Sequence, residues 1–252
     1  MSDVKSETLA LPRHLGAELL GTGLLVTVVV GSGIAAESLS PHDVGLQLLE
    51  NSLATAFGLA VLILVFGPVS GAHFNPVVSA ADWLLGRRRG TGLSGRDAVA
   101  YGVAQGVGGM LGAVLANVMF DLPAGQISAT NRASLGHATG EIVATMGLVL
   151  LIFALARTGR AALSAASVGA YIGSAYWFTS STSFANPAVT LGRMFTDTFA
   201  GIGPTSVPLF VAAQVVGAGL GLALVQLLFP DAEAAAGRAV IPHPTAVPTE
   251  KS

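Results

Sequence analysis

The 252-residue chain has no cysteine, and only 10% of it is charged. The first absence excludes disulfides and thiolate metal sites. The second removes the polar faces that long helices of a soluble protein need. A net charge of −2 offers no footprint for nucleic acid or for an acidic partner. The five histidines are scattered without ligand spacing, so neither a metal site nor a cofactor is expected. No nucleophile–base constellation appears either, and the chain is not expected to be an enzyme.

What is present is apolar surface. The chain is 52% hydrophobic with 32 glycines and has a mean hydropathy of +0.69. Apolar spans run near 15–35, 46–66, 98–120, 138–156, 162–180 and 206–229. Most approach the ~20 residues that cross a hydrocarbon core. The stretches 76–85 and 187–196 reach only about half that depth. The pattern predicts an all-α membrane protein of six transmembrane helices plus two half-helices. The half-helices need protein or a water-filled cavity around them.

Each half-helix opens on Asn-Pro. Asn75-Pro76 stands in Ser70-Gly71-Ala72-His73-Phe74-Asn75-Pro76-Val77, and Asn186-Pro187 in Ser183-Phe184-Ala185-Asn186-Pro187-Ala188-Val189-Thr190. Asn caps a helix by accepting backbone N–H bonds, and Pro fits the first helical position. Each pair therefore sets a positive helix end inside the membrane.

The chain is a duplication. Thr22 follows Glu18 by four residues as Thr145 follows Glu141, and Gly58 precedes Asn75 by the same 17 positions that separate Gly169 from Asn186. Ala104-Gln105 with Gly108 and Gly112 is matched by Ala213-Gln214 with Gly217 and Gly221. Three crossings per unit is odd, so the second unit enters from the opposite side as an inverted repeat. The two half-helices then bring Asn75 and Asn186 together near the midplane. The paired glycines permit close helix packing. Glu18 and Glu141 are read as structural carboxylates that accept N–H bonds from the strands leading into the half-helices, with a proton relay as the alternative. His73 is read as fixing the loop before Asn75.

Ten of the twelve Lys and Arg residues fall on one side if six spans alternate, leaving Arg132 and Arg193 on the other. The positive-inside rule places both termini in the cytoplasm of a multi-pass cell (inner) membrane protein. Residues 1–12 are expected to be a cytoplasmic segment, 13–230 a channel domain with repeats at 13–120 and 136–229, and 231–252 a disordered cytoplasmic tail. A cleaved signal peptide could be argued from the first span, but the surroundings of Glu18 recur at Glu141, where no signal can be.

At these residues the chain resembles the major intrinsic protein family of aquaporins and aquaglyceroporins, over roughly residues 10–230. The resemblance implies the aquaporin-like fold and a passive pore for small neutral solutes. It also implies a homotetramer among membrane lipids and Asn75 and Asn186 as donors to the passing solute. The chain departs at Val77, where Ala is usual, and at Val189, where family members commonly carry Arg after Asn186-Pro187-Ala188. Arg193 lies one helical turn further on, a position that need not reach the same constriction.

Carried over by distance from each Asn, the remaining filter positions are Thr55, Ser174 and Ser183; a shift of one brings in Gly173 or Phe184. Thr55, Ser174, Ser183 and Val189 predict a wide filter without ring or cation. Such a filter would pass glycerol and neutral metalloid acids such as arsenite, with or without water. The Val in place of Arg also resembles a bacterial subgroup associated with arsenic resistance. The alternatives are a water-selective aquaporin and a proton-coupled secondary transporter.

Overall fold

The computed structural model of the chain describes residues 2–87 and 90–230. The segment 231–252, expected as a separate tail, lies outside the described residues, as do Arg88 and Arg89. Eight α-helices follow in order: α1 (Ser2–Leu39), α2 (Val44–Ser70), α3 (Pro76–Gly86), α4 (Gly95–Met119), α5 (Leu135–Arg157), α6 (Ser164–Phe178), α7 (Pro187–Gly192) and α8 (Val207–Leu228). No strand occurs among the described residues. The segment set apart at 1–12 is continuous with α1 from Ser2 onward.

Five helices (α1, α2, α4, α5 and α8) are long and apolar enough to cross a membrane. The sixth crossing, α6, has 15 residues and is lengthened by a 3-10 turn over Ala161–Leu163. At ~1.5 Å per α-helical residue and ~2 Å per 3-10 residue, the combined rod reaches about 28 Å, close to the core thickness. The second half-helix is shorter than the expected 187–196. It keeps α-helical form for six residues and tightens into a 3-10 turn at Arg193–Phe195.

The duplication is visible in the packing. In the first half α1 lies against α4, and in the second α5 lies against α8. Glycine makes both approaches possible. A Cβ on Gly108 or Gly112 would stand 2.2 or 2.1 Å from the carbonyl oxygens of Leu19 and Gly23, and one on Gly217 or Gly221 would meet those of Ile142 and Met146 at 2.5 and 2.7 Å. Many outward-facing large side chains are apolar, Phe57, Leu64, Val103 and Leu227 among them, as lipid contact requires. The two half-helices occupy the interior, with α7 against α4 and the ends of α3 and α7 in contact.

Candidate functional site

Asn75 and Asn186 begin α3 and α7 as their N-caps. The Asn75 side-chain oxygen accepts from Val77 N (3.1 Å), and that of Asn186 from Ala188 N and Val189 N (2.9 and 3.3 Å). With each oxygen on its own helix, each amide nitrogen is turned to the other half. Asn75 Nδ2 donates to Ala185 O at 2.8 Å, and Asn186 Nδ2 donates to Phe74 O at 2.7 Å. The acceptor is in each case the residue just before the partner asparagine. This reciprocal clasp holds two positive helix ends together. An amide nitrogen carries two hydrogens, so one N–H of each asparagine is left over at a cavity that both residues line.

The irregular segments leading into the half-helices are backbone-strained at matching places. Ala72 and Phe74 have φ of 49° and 50°, and Ser183 and Ala185 have φ of 51° and 48°. Each such non-glycine residue costs roughly 1–3 kcal/mol and persists only where its surroundings fix it. The fixing groups are the two buried glutamates. Glu18 accepts from His73 N (3.0 Å), Phe74 N (2.7 Å), Ser70 Oγ (2.6 Å) and Gln105 Nε2 (2.7 Å). Glu141 accepts from Phe184 N (2.9 Å), Ala185 N (2.8 Å) and Gln214 Nε2 (2.6 Å). Gln105 and Gln214 donate in turn to Ser79 Oγ and Thr190 Oγ1, on the half-helices themselves. His73 shares a hydrogen bond with Ser79 through Nδ1 (3.1 Å) and sets its ring edge against Tyr101.

The cavity has a volume of about 60 Å³. One wall is aliphatic, built from Leu25, Leu59, Ile63, Leu148, Ile152 and Val168. The polar positions are Thr55, His73, Asn75, Tyr176, Ser183, Asn186 and Arg193. Of the four carried-over filter positions, Thr55, Ser183 and Val189 line this cavity. Ser174 does not. It is exposed on α6, where its hydroxyl donates to Tyr171 O. The cavity face of α6 carries Val168, Ile172 and Tyr176, four residues apart, and Ser174 lies two residues, about 200°, away from that face. Counting back from Asn186 failed because the irregular segment 179–185 does not preserve helical register. Val77 packs behind the cap, buried, while its neighbour Val78 reaches the cavity.

The expectation of a ring-free, uncharged wall is therefore corrected. Tyr176 shares a hydrogen bond with Thr55 at 3.1 Å. Phe184 lines the cavity, and Arg193 sits with its guanidinium 3.5 Å from the Phe184 ring centroid. A helical side chain leans toward the helix N-terminus and covers the turn before its own Cα. Arg193, four residues after Val189 on the same face, thus reaches the cavity that Val189 lines. That lean, and the four-residue period from Val168 to Tyr176, were the available signals for the missed residues.

These features coincide with known relatives. The major intrinsic protein family model matches residues 5–184. The chain is 49% identical over 222 residues to the aquaglyceroporin AqpS of Rhizobium meliloti (strain 1021), covering 88% of this chain and 92% of that one. It is 30% identical to the aquaporin AqpM of Methanothermobacter marburgensis, covering 87% of this chain and 98% of the relative. The fold is similar to the X-ray structure of the aquaglyceroporin from Plasmodium falciparum, with a TM-score of 0.65 at 21% identity over 89% of this chain and 100% of that one. Matched in sequence along most of its length, and in architecture, the chain belongs to the major intrinsic protein family.

Proposed function

We propose that the chain is a passive transmembrane channel for small neutral polar solutes, of the aquaglyceroporin kind, with glycerol as the representative cargo. The observation that carries this reading is the cavity with the asparagine clasp at its centre. Two spare amide N–H donors face an aliphatic wall there, an arrangement matched to a solute with hydroxyls along one side and carbon along the other. Both positive helix ends disfavour cations at the same point. Neutral hydroxylated acids such as arsenite share that chemistry and belong to the proposed cargo. The native unit is a homotetramer in the inner membrane, with the termini and the α5–α6 turn on the cytoplasmic side.

The test is stopped-flow light scattering on proteoliposomes, comparing water, glycerol and arsenite with protein-free vesicles. Non-saturating glycerol and arsenite flux, unaffected by a proton gradient, is the expected result. Water flux alone would favour the water-selective reading, for which the rings of Tyr176 and Phe184 in the wall are the structural argument. A response to the proton gradient would favour a coupled transporter.

A further inference from the structure

We infer that Asp82 is a proton-operated latch, its side chain tying the turn after α3 to that half-helix and its ionisation loosening both. What the latch controls rests on the channel reading; the latch itself does not.

The two half-helices are seated differently. α7 lies backbone to backbone on α4. A Cβ on Gly109 would stand 2.6 Å from Ala188 O, and one on Gly192 would stand 2.5 Å from Gly109 O. In the repeat, Gly109 of α4 corresponds to Ala218 of α8, so α3 meets a methyl group where α7 meets none. α3 is tied at its far end instead. Asp82 stands seven residues after Asn75 and does not line the cavity. Its Oδ2 accepts from Leu93 N at 2.7 Å, across the turn between α3 and α4. A Cβ on Gly92, where φ is 72°, would fall 2.7 Å from the same oxygen, and one on Gly86 would run into Thr91 O. Thr91 N donates to Gly86 O at 3.2 Å. Glycine thus lets the backbone of the turn close over the carboxyl.

Asp82 is 3% exposed, and no charged side chain among the described residues offsets that burial. Arg87 is turned to Trp83, 5.6 Å from the ring centroid, and Arg96 at the start of α4 is exposed. Tyr101 on α4 is the ionisable group that feels Asp82, together with Asp97 and Glu18. His73 stands against Tyr101 with ring centroids 5.5 Å apart. α7 and α8, also packed on α3, carry no ionisable residue. With 11 residues, α3 does not span the membrane. Burial pushes the Asp82 carboxyl up to about 7, against the lowering effect of Leu93 N.

An aspartate in water loses its proton near about 4. The bound proton therefore favours the buried seat over a hydrated one. As pH rises from about 4 to about 7, release of the turn gains up to about tenfold per unit, and above that it levels off. Acid tightens the latch. Asn75 and Val78 of this half line a cavity of only about 60 Å³, so a solute larger than water passes as the wall gives. A tightened α3 should slow glycerol more than water.

The test is hydrogen–deuterium exchange of the segment containing Leu93, with glycerol and water flux in proteoliposomes. Wild type is compared with Asp82→Asn and Gly92→Ala. In wild type, protection of the segment is expected to fall by up to about tenfold per unit from about pH 5 to about pH 7. Asp82→Asn keeps an acceptor oxygen without a titrating proton and should hold the acid level of protection throughout. Gly92→Ala, forced off the carboxyl, should be unprotected throughout, and it carries the test if the Asn variant fails to assemble. Wild-type glycerol flux should be at least roughly twofold slower at about pH 5 than at about pH 7, with both variants flat. Wild-type protection equal to that of the Asn variant at every pH would overturn the latch and leave the channel reading intact. Protection that follows pH while glycerol flux does not would overturn its control of the pore. Wild-type vesicles with no solute flux above lipid would instead remove the channel reading, and the exchange data alone would then decide the latch.

Discussion

At the scale of single residues, the site depends on polar groups with two tasks. Asn186 caps α7 with its oxygen and clasps the other half through its nitrogen. Asn186→Asp keeps the cap but turns the donor to Phe74 O into an acceptor. The orphaned carbonyl is expected to cost about 1–3 kcal/mol, seen as a lower melting temperature in detergent. The added negative charge should admit cations, seen as a proton leak absent from wild type. An outward-facing serine on α6 and a lumen-facing serine on the segment after it separate as sharply. The chain has no cysteine, so its flux should be insensitive to mercurials. Ser183→Cys should confer inhibition because residue 183 lines the cavity, whereas Ser174→Cys on the exposed face of α6 should not. Inhibition of the second variant and not the first would reverse the register of the wall.

Among the elements, glycine decides which helices touch. The same substitution is expected to have opposite signs at two glycines. Gly108→Ala drives a Cβ to within 2.2 Å of the Leu19 carbonyl and must push α1 from α4. It should destabilise by roughly 1–3 kcal/mol, as overpacking does. Gly219 in α8 has nothing within 4 Å of the added Cβ. There Ala should stabilise the helix by about 1 kcal/mol through propensity. Thermal unfolding of the two variants in detergent reads both signs, and equal shifts would show that α1–α4 contact is not glycine-limited. The half-helices follow a different logic. They are too short to be stable alone, and they stand because Glu18 and Glu141 anchor the segments before them while Gln105 and Gln214 tie in their first turns.

For the whole molecule, inversion of the repeat gives the two mouths different chemistry. The side carrying Arg132 and Arg193 is knitted by side-chain bonds between distant segments. Phe199 N donates to Glu37, Asn117 Nδ2 to Phe195 O, and Arg132 N to Ser206 Oγ. The charge rule predicts that this side faces outward. Ala133→Cys, exposed beside Arg132, should react with a membrane-impermeant maleimide on intact cells. Arg96→Cys, exposed at the start of α4, should react only after permeabilisation. The reverse labelling pattern would invert the orientation.

The sequence alone determined the membrane class, the duplication, its inversion and the two capping asparagines. Each follows from local rules: apolar length, chain repetition, an odd number of crossings, and the fit of Asn-Pro to a helix start. Val189 was also legible, because it sits on the helix that Asn186 caps. What only the tertiary structure decided lies where the chain leaves regular helix. The register of α6 across 179–185, which exchanged Ser174 for Tyr176, is set by long-range bonds from Glu141 and not by residue count. The shortening of α7 to six residues depends on its seat against Gly109. The reach of Arg193 depends on a carbonyl seven residues away and a ring nine residues back. A side chain held by partners from two other segments has its direction fixed by packing, and no spacing along the chain encodes it.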